Sequence, residues 1–196
     1  MTSLTDALAL YDTASSIDRL RFRLRALPPA PVAPSPSEVS EQVRTLAGII
    51  AGISDAVSRR LSDGLYSVPA QRAVDAFSSA LAPLGEAMTE LGRLQRDVVF
   101  VHFTAPRIST SEMPHPRELA TEVITECRDA AAEILEVTAE ELRAVATRLT
   151  TSSGPLQSAA RARSPHAAVT RQATSAPAAP LPAPSPAVAP TTAKGR

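Results

Sequence analysis

Val39-Ser40-Glu41-Gln42-Val43-Arg44-Thr45-Leu46-Ala47-Gly48-Ile49-Ile50-Ala51-Gly52-Ile53-Ser54-Asp55-Ala56-Val57-Ser58-Arg59-Arg60-Leu61 sets apolar side chains at 39, 43, 46, 50, 53, 57 and 61. Steps of four and three, alternating up to 57, line those side chains up along one face of an α-helix. A stripe of this kind says how helices associate and carries no information about a reaction. What it decides is architecture: the chain builds a bundle.

The ends of this stretch are marked. Ser35-Pro36-Ser37-Glu38 reads as a capping box with proline at the first helical position, and Asp63-Gly64 as a stop. Gly48 and Gly52, interleaved with Ala47 and Ala51, each cost about 1 kcal/mol in helix propensity. Close approach of another helix is the expected compensation.

Working outward, Val68-Pro69 opens a third helix over 68–102, striped by Val74, Phe77, Leu81, Leu84, Met88, Leu91 and Val98. The short connection at Gly64 makes it the antiparallel neighbour of the second helix, and Pro83 with Gly85 predicts a kink. A first helix over 3–27 carries Leu4, Leu8, Tyr11, Ile17, Leu20, Leu24 and Leu27 on or near one face. Its last third, Arg19 to Arg25, alternates with a period of two. The helical residues before it and Pro28 after it still favour helix, and cations in a last turn suit the dipole.

Residues 28–35, rich in proline, cannot be helix interior and are expected as a stiff extended spacer of roughly 20 Å. That length crosses a bundle end or hands the first helix to a neighbouring subunit. After a polar loop from Thr104 to Pro114, a fourth helix over 116–150 carries Leu119, Val123, Cys127, Ile134, Leu142, Val145 and Leu149. Thr138-Ala139-Glu140-Glu141 resembles a second capping box and predicts a break near Val137. From Gly154 to Arg196 there are eight prolines, much alanine and no aromatic residue, which leaves nothing to bury. The expectation is an all-α fold: an antiparallel four-helix bundle in 1–153, followed by a disordered Pro/Ala-rich tail in 154–196.

Composition narrows the function. Residues up to Ser153 hold 20 acidic and 15 basic side chains, net −5, and the tail holds five basic and no acidic ones, so the neutral total hides two segments of opposite sign. Tryptophan is absent, with four Phe and two Tyr, which argues against a β-sandwich or a base-stacking surface. Lys194 is the only lysine. That Arg, Ala and Pro excess suits a GC-rich bacterial source and weakens any reading of arginine as selected for phosphate. Cys127 is alone, so intrachain disulfides and multi-cysteine metal sites are excluded, and a buried core thiol is expected. Asp6 and Asp12 precede any basic residue, against a secretory signal. The longest uncharged apolar run, 45–54, is half the ~20 residues a bilayer requires, so a cytoplasmic protein without a transmembrane segment is expected.

The motifs of common chemistry are missing. There is no glycine-rich phosphate loop, Gly-x-Ser-x-Gly elbow or His-Glu-x-x-His. A His-dependent triad would have to use His102 or His115, with no signal for a nucleophile. Glu112-Met113-Pro114-His115 has the Glu-x-x-His spacing of di-iron bundles, but its prolines oppose helix and no second copy exists. No enzymatic activity, metal or cofactor is expected.

Two charged features remain as candidate interaction sites. Glu118, Glu122, Glu126, Asp129, Glu133, Glu136 and Glu140 form an acidic stripe along the fourth helix, suited to solvent, to a basic partner or to the basic tail. Arg19, Arg21, Arg23 and Arg25 turn about 200° at each step and so occupy more than one face. The leading expectation is a noncatalytic interaction or scaffold protein, binding itself or another protein through its helix faces. The alternative is an accessory nucleic-acid-binding protein using the Arg cluster with Arg161, Arg163, Arg171, Lys194 and Arg196.

Overall fold

The computed structural model describes the backbone of residues 2–64, 67–104 and 115–163, with side chains over 4–64, 67–103 and 118–151. Four helices carry it: α1 (Thr2–Arg25), α2 (Pro36–Asp63), α3 (Val68–Val99) and α4 (His115–Arg163). A π-helical turn, Phe100–Thr104, continues α3, and no strand occurs among the described residues. Met1–Pro155 form one compact unit. From Leu156 a second unit begins, described only as helical backbone to Arg163.

Side-chain pairs fix the order of the helices. Arg60 of α2 reaches Asp6 near the start of α1 at 3.0 Å, and Arg23 near the end of α1 lies 3.7 Å from Glu41 near the start of α2. Those two helices therefore run antiparallel. Gln95 of α3 donates to Ser40 Oγ at 3.1 Å, and at the other end of α2 the Arg60 guanidinium sits 5.0 Å from the Phe77 ring, so α2 and α3 are antiparallel as expected. Glu90 of α3 lies beside Cys127 of α4, close enough to act on its thiol, while Ala76 and Val145 line one cleft at the opposite end. α4 closes the ring against α1, where the Tyr11 and Thr147 hydroxyls lie 2.8 Å apart, Asp18 pairs with Arg143 and Arg25 reaches Glu136 at 2.8 Å. Every neighbouring pair in this up-down-up-down bundle is antiparallel, and α1 packs within its own chain.

The core follows a four-three rhythm in which alanine alternates with larger residues. On α3 it runs Ala73, Phe77, Ala80, Leu84, Ala87, Leu91, Leu94 and Val98, continuing to Val101 in the π-turn. On α1 the buried residues are Ala7, Leu10, Ala14, Ile17, Leu20, Leu24 and Leu27, so Leu4 and Leu8, at 62% and 53% exposure, stand outside the expected face. Leu119 of α4 is likewise exposed, and Ile124, Ala131, Leu135 and Ala146 carry the seam beside Cys127, Leu142 and Leu149. The small alanines give close helix approach, which is why stripes assigned from large residues alone come out rotated.

α2 shows that rotation most clearly. Val39, Gln42, Leu46, Ile53 and Ala56 are buried, while Val43, Ile50 and Val57 are half-buried and Leu61 is exposed. Val43, Ile50 and Val57 lie on the Ser40 side, toward α3; Thr45, Gly52 and Ala56 lie on the other side and line a groove with α1. One flank is thus bulky, and on the other only Ile49 is large among small or polar residues.

The helix ends behave as their chemistry dictates. Ser35 Oγ accepts from the Glu38 amide at 3.2 Å and Glu38 Oε2 accepts from the Ser35 amide at 2.9 Å, completing the capping box. Gly64 has φ 84°, which favours glycine, and donates its amide to Leu61 O. α3 is helical through Pro83.

Several expectations change. The spacer is not extended throughout: Val32 donates to Pro29 O at 3.1 Å around a cis Ala30-Pro31 bond, a chain reversal suited to joining adjacent antiparallel helices. His102 Nε2–H donates to Pro34 O at 2.9 Å and ties this connection to the end of α3. α4 does not break at Val137, because the buried Thr138 hydroxyl donates to Ile134 O at 2.7 Å and is satisfied inside the helix instead of capping a new one. α4 also continues past 150 through residues 154–163, where Leu156, Gln157, Ala159 and Ala160 are good helix formers. The remainder of the expected tail and the Glu112–Pro114 part of the Glu-x-x-His stretch lie outside the described residues. Finally, no helix approaches Gly48 or Gly52: both are exposed, and a Cβ at either would meet nothing within 4 Å.

Gly48→Ala and Gly52→Ala are therefore expected each to raise the unfolding free energy of dilute protein by about 0.5–1 kcal/mol in urea titrations followed by circular dichroism. Ser35→Ala removes the cap of α2 and is expected to lower it by about 0.5–2 kcal/mol in the same assay.

Candidate interaction site

The odd spacing of the α1 arginines sends them to different neighbours. Arg21 pairs with Glu136 of α4 and lies 3.7 Å from Asp18, and Arg25 reaches the other oxygen of Glu136. Arg23 turns the other way, to Glu41 of α2, with both side chains more than half exposed. Arg19 donates to Ser16 Oγ at 3.0 Å. The four do not form one basic patch. They brace the end of α1 between α4 and α2.

The acidic stripe is where the spacing places it. Glu118, Glu122, Glu126, Asp129, Glu133 and Glu140 are exposed along α4, and Glu136 is partly covered by the α1 arginines. Glu136 is thus the one residue at which the two candidate clusters meet. The Arg21 hydrogen bond, with Arg25 assisting, holds its carboxyl below the ordinary value near 4.5. Asp129 has its own neighbour, Arg128, at 2.9 Å.

A half-open groove of about 1100 Å³ runs between α1 and α2. Small or hydroxylic residues such as Thr5, Ala9 and Thr13 of α1 and Thr45, Gly48 and Gly52 of α2 line it together with Ile49 and the charged Asp12, Arg19, Arg23 and Arg59, and Ile53 and Phe77 are buried residues beneath it. Sequence reasoning did not find this groove, although the two glycines were its signal. At one end Arg60 joins three helices: it bonds Asp6 of α1, donates to Ala56 O at 3.0 Å and covers the Phe77 ring of α3. Asp6 has a side-chain exposure of 9% and uses only Oδ1 in that pair; Oδ2 has no hydrogen-bond partner. Gln42 Oε1 is the other such atom among the described residues.

Reactive chemistry is scarce around these features. Cys127 is buried, and burial with the Glu90 carboxylate beside it pushes its thiol up to about 11, so it stays protonated at neutral pH. Among the described residues no group of three or more His, Cys, Asp or Glu is placed to hold a metal ion. No described helix is long and apolar enough to cross a membrane. No family model, curated protein or solved structure matches the chain.

The Glu136 junction has a pH signature. Because folding depresses this carboxyl, its ionised form contributes stability above the unfolded value, and that contribution is lost as pH falls through the lower folded value. Glu136→Gln is expected to melt at a lower temperature than the unsubstituted chain at pH 7. The gap should shrink as the pH is taken below about 4.

Proposed function

We propose that the chain is a noncatalytic helical interaction protein of the cytoplasm that self-associates through coiled-coil-like faces of its helices. The observation behind this reading is the α1–α2 groove. Protein interiors are packed to crystal-like density. Here a seam of about 1100 Å³ stays open, and two exposed glycines weaken α2 with no compensating contact inside the bundle. A second helix would give those glycines the close contact that they lack within the single chain.

The nucleic-acid alternative has less support. A phosphate backbone would have to compete with Glu136 for Arg21 and Arg25 and with Glu41 for Arg23. Phosphate contacts gain their affinity by displacing cations condensed on the nucleic acid, and an arginine already paired with a carboxylate must first give up that pair.

Light scattering coupled to size-exclusion chromatography over a wide concentration range tests the proposal. The expected outcome is a mass that rises from one chain toward a multiple of it. A mass of one chain at every concentration reached would overturn self-association.

A further inference from the structure

The outward side of α2 carries its charges in an order that identifies what covers it. Glu41, Arg44, Gly48, Ala51, Asp55 and Arg59 follow one another along this side, with Gly52 at the rim of the groove, and all are exposed. Read along the helix, the stripe is negative, positive, small, small, negative, positive. Turned end for end about a point between Gly48 and Gly52, the same stripe presents positive to negative at every place. Glu41 falls opposite Arg59 of a second copy and Arg44 opposite Asp55, and both pairs recur on the other side of the axis. The glycines and Ala51 fall at the crossing, where two backbones come closest. A parallel arrangement would instead set Glu41 on Glu41 and Arg44 on Arg44.

Within one chain Glu41 has only the exposed Arg23, at 3.7 Å, and the other three charges of the stripe are unpaired among the described residues. Arg44 and Arg59 donate only to backbone carbonyls of their own helix, Ser40 O and Asp55 O, each at 3.4 Å. Neither they nor the Asp55 carboxylate has an ion-pair partner among the described residues.

From this the geometry points to a two-fold dimer in which α2 packs antiparallel against α2 of a second copy of this chain, crossing at Gly48, Ala51 and Gly52. A two-fold interface uses the same patch on both subunits, so a self-complementary charge order is what it requires. Opposed charges then select the antiparallel orientation and disfavour the parallel one. The inference rests on the self-association reading above, and it places the contact on the outward side of α2 beside the groove and adds its orientation and its ion pairs.

Charge reversal in the full chain tests it. Arg44→Glu alone places a glutamate opposite Asp55 at both ends, and Asp55→Arg alone places an arginine opposite Arg44. Each is expected to weaken dimerisation by roughly tenfold or more by sedimentation equilibrium, with circular dichroism and melting of dilute protein unchanged. Mixing the two variants restores both pairs, so a mixed dimer should form with close to the original affinity, as should the double variant with itself. Gly48→Leu, which fills open space in the single chain, should also weaken the dimer. If both single reversals dimerise like the unsubstituted chain, or the mixture fails to recover, this interface is overturned while self-association stands. If the unsubstituted chain remains a monomer throughout, both readings fall.

Discussion

Each helix of this chain carries one narrow apolar stripe, and none of those stripes can leave water except against the other three. Ordering a helix costs about 1–2 kcal/mol per residue in backbone entropy, more than a few aliphatic side chains recover alone. The four stripes must therefore meet on a common axis. On α1, α3 and α4 they meet as alternating alanine and large aliphatic residues, a pattern that sets helices close and leaves Phe77 as the one fully buried aromatic residue among those described.

Against that uniform core, the seams between neighbours differ. α2 turns Val43, Ile50 and Val57 toward α3 and, apart from Ile49, mainly small or polar residues toward α1. The α1–α2 seam is held at its two ends instead, by the Asp6–Arg60 pair and the exposed Arg23–Glu41 pair. The first is well covered and gains from the Phe77 ring beneath the guanidinium; the second, in solvent, contributes little. α1 is meanwhile fastened to α4 by Asp18–Arg143, by Glu136 with two arginines and by Tyr11–Thr147. The groove is thus an open space between helices fixed from outside it.

How much of this could be read from the chain depends on whether the signal was local. The boundaries of α2 and the start of α3 were legible, because the Ser35–Glu38 capping box, Pro36, Gly64 and Pro69 act through neighbours a few residues away. The stripe of α2 was legible in period and not in phase: Gln42 and Ala56 face the core, and their chemistry does not announce it. Leu4 and Leu8 misled for the converse reason, being large and apolar on a helix whose contact face is built on Ala7 and Ala14. Thr138 looked like a cap because its hydroxyl can serve an amide ahead of it or a carbonyl behind it, and only the packed helix decides between them. The acidic stripe and the Arg cluster were both visible as patterns. Their meeting at Glu136 was not, since it needs the knowledge that α1 lies beside α4.

That last adjacency has a topological consequence. α1 and α4 are neighbours with no direct connection between them, and Tyr11 against Thr147 puts the first turns of α1 beside the stretch of α4 just before Leu149. The ring of contacts is closed although the polypeptide is not. A short linker from the region of residue 151 back to the start of α1, with the chain opened within 29–33, gives a circular permutant that keeps every neighbouring pair of helices. The order in which these helices are synthesised and the order in which they pack are therefore separable in this bundle.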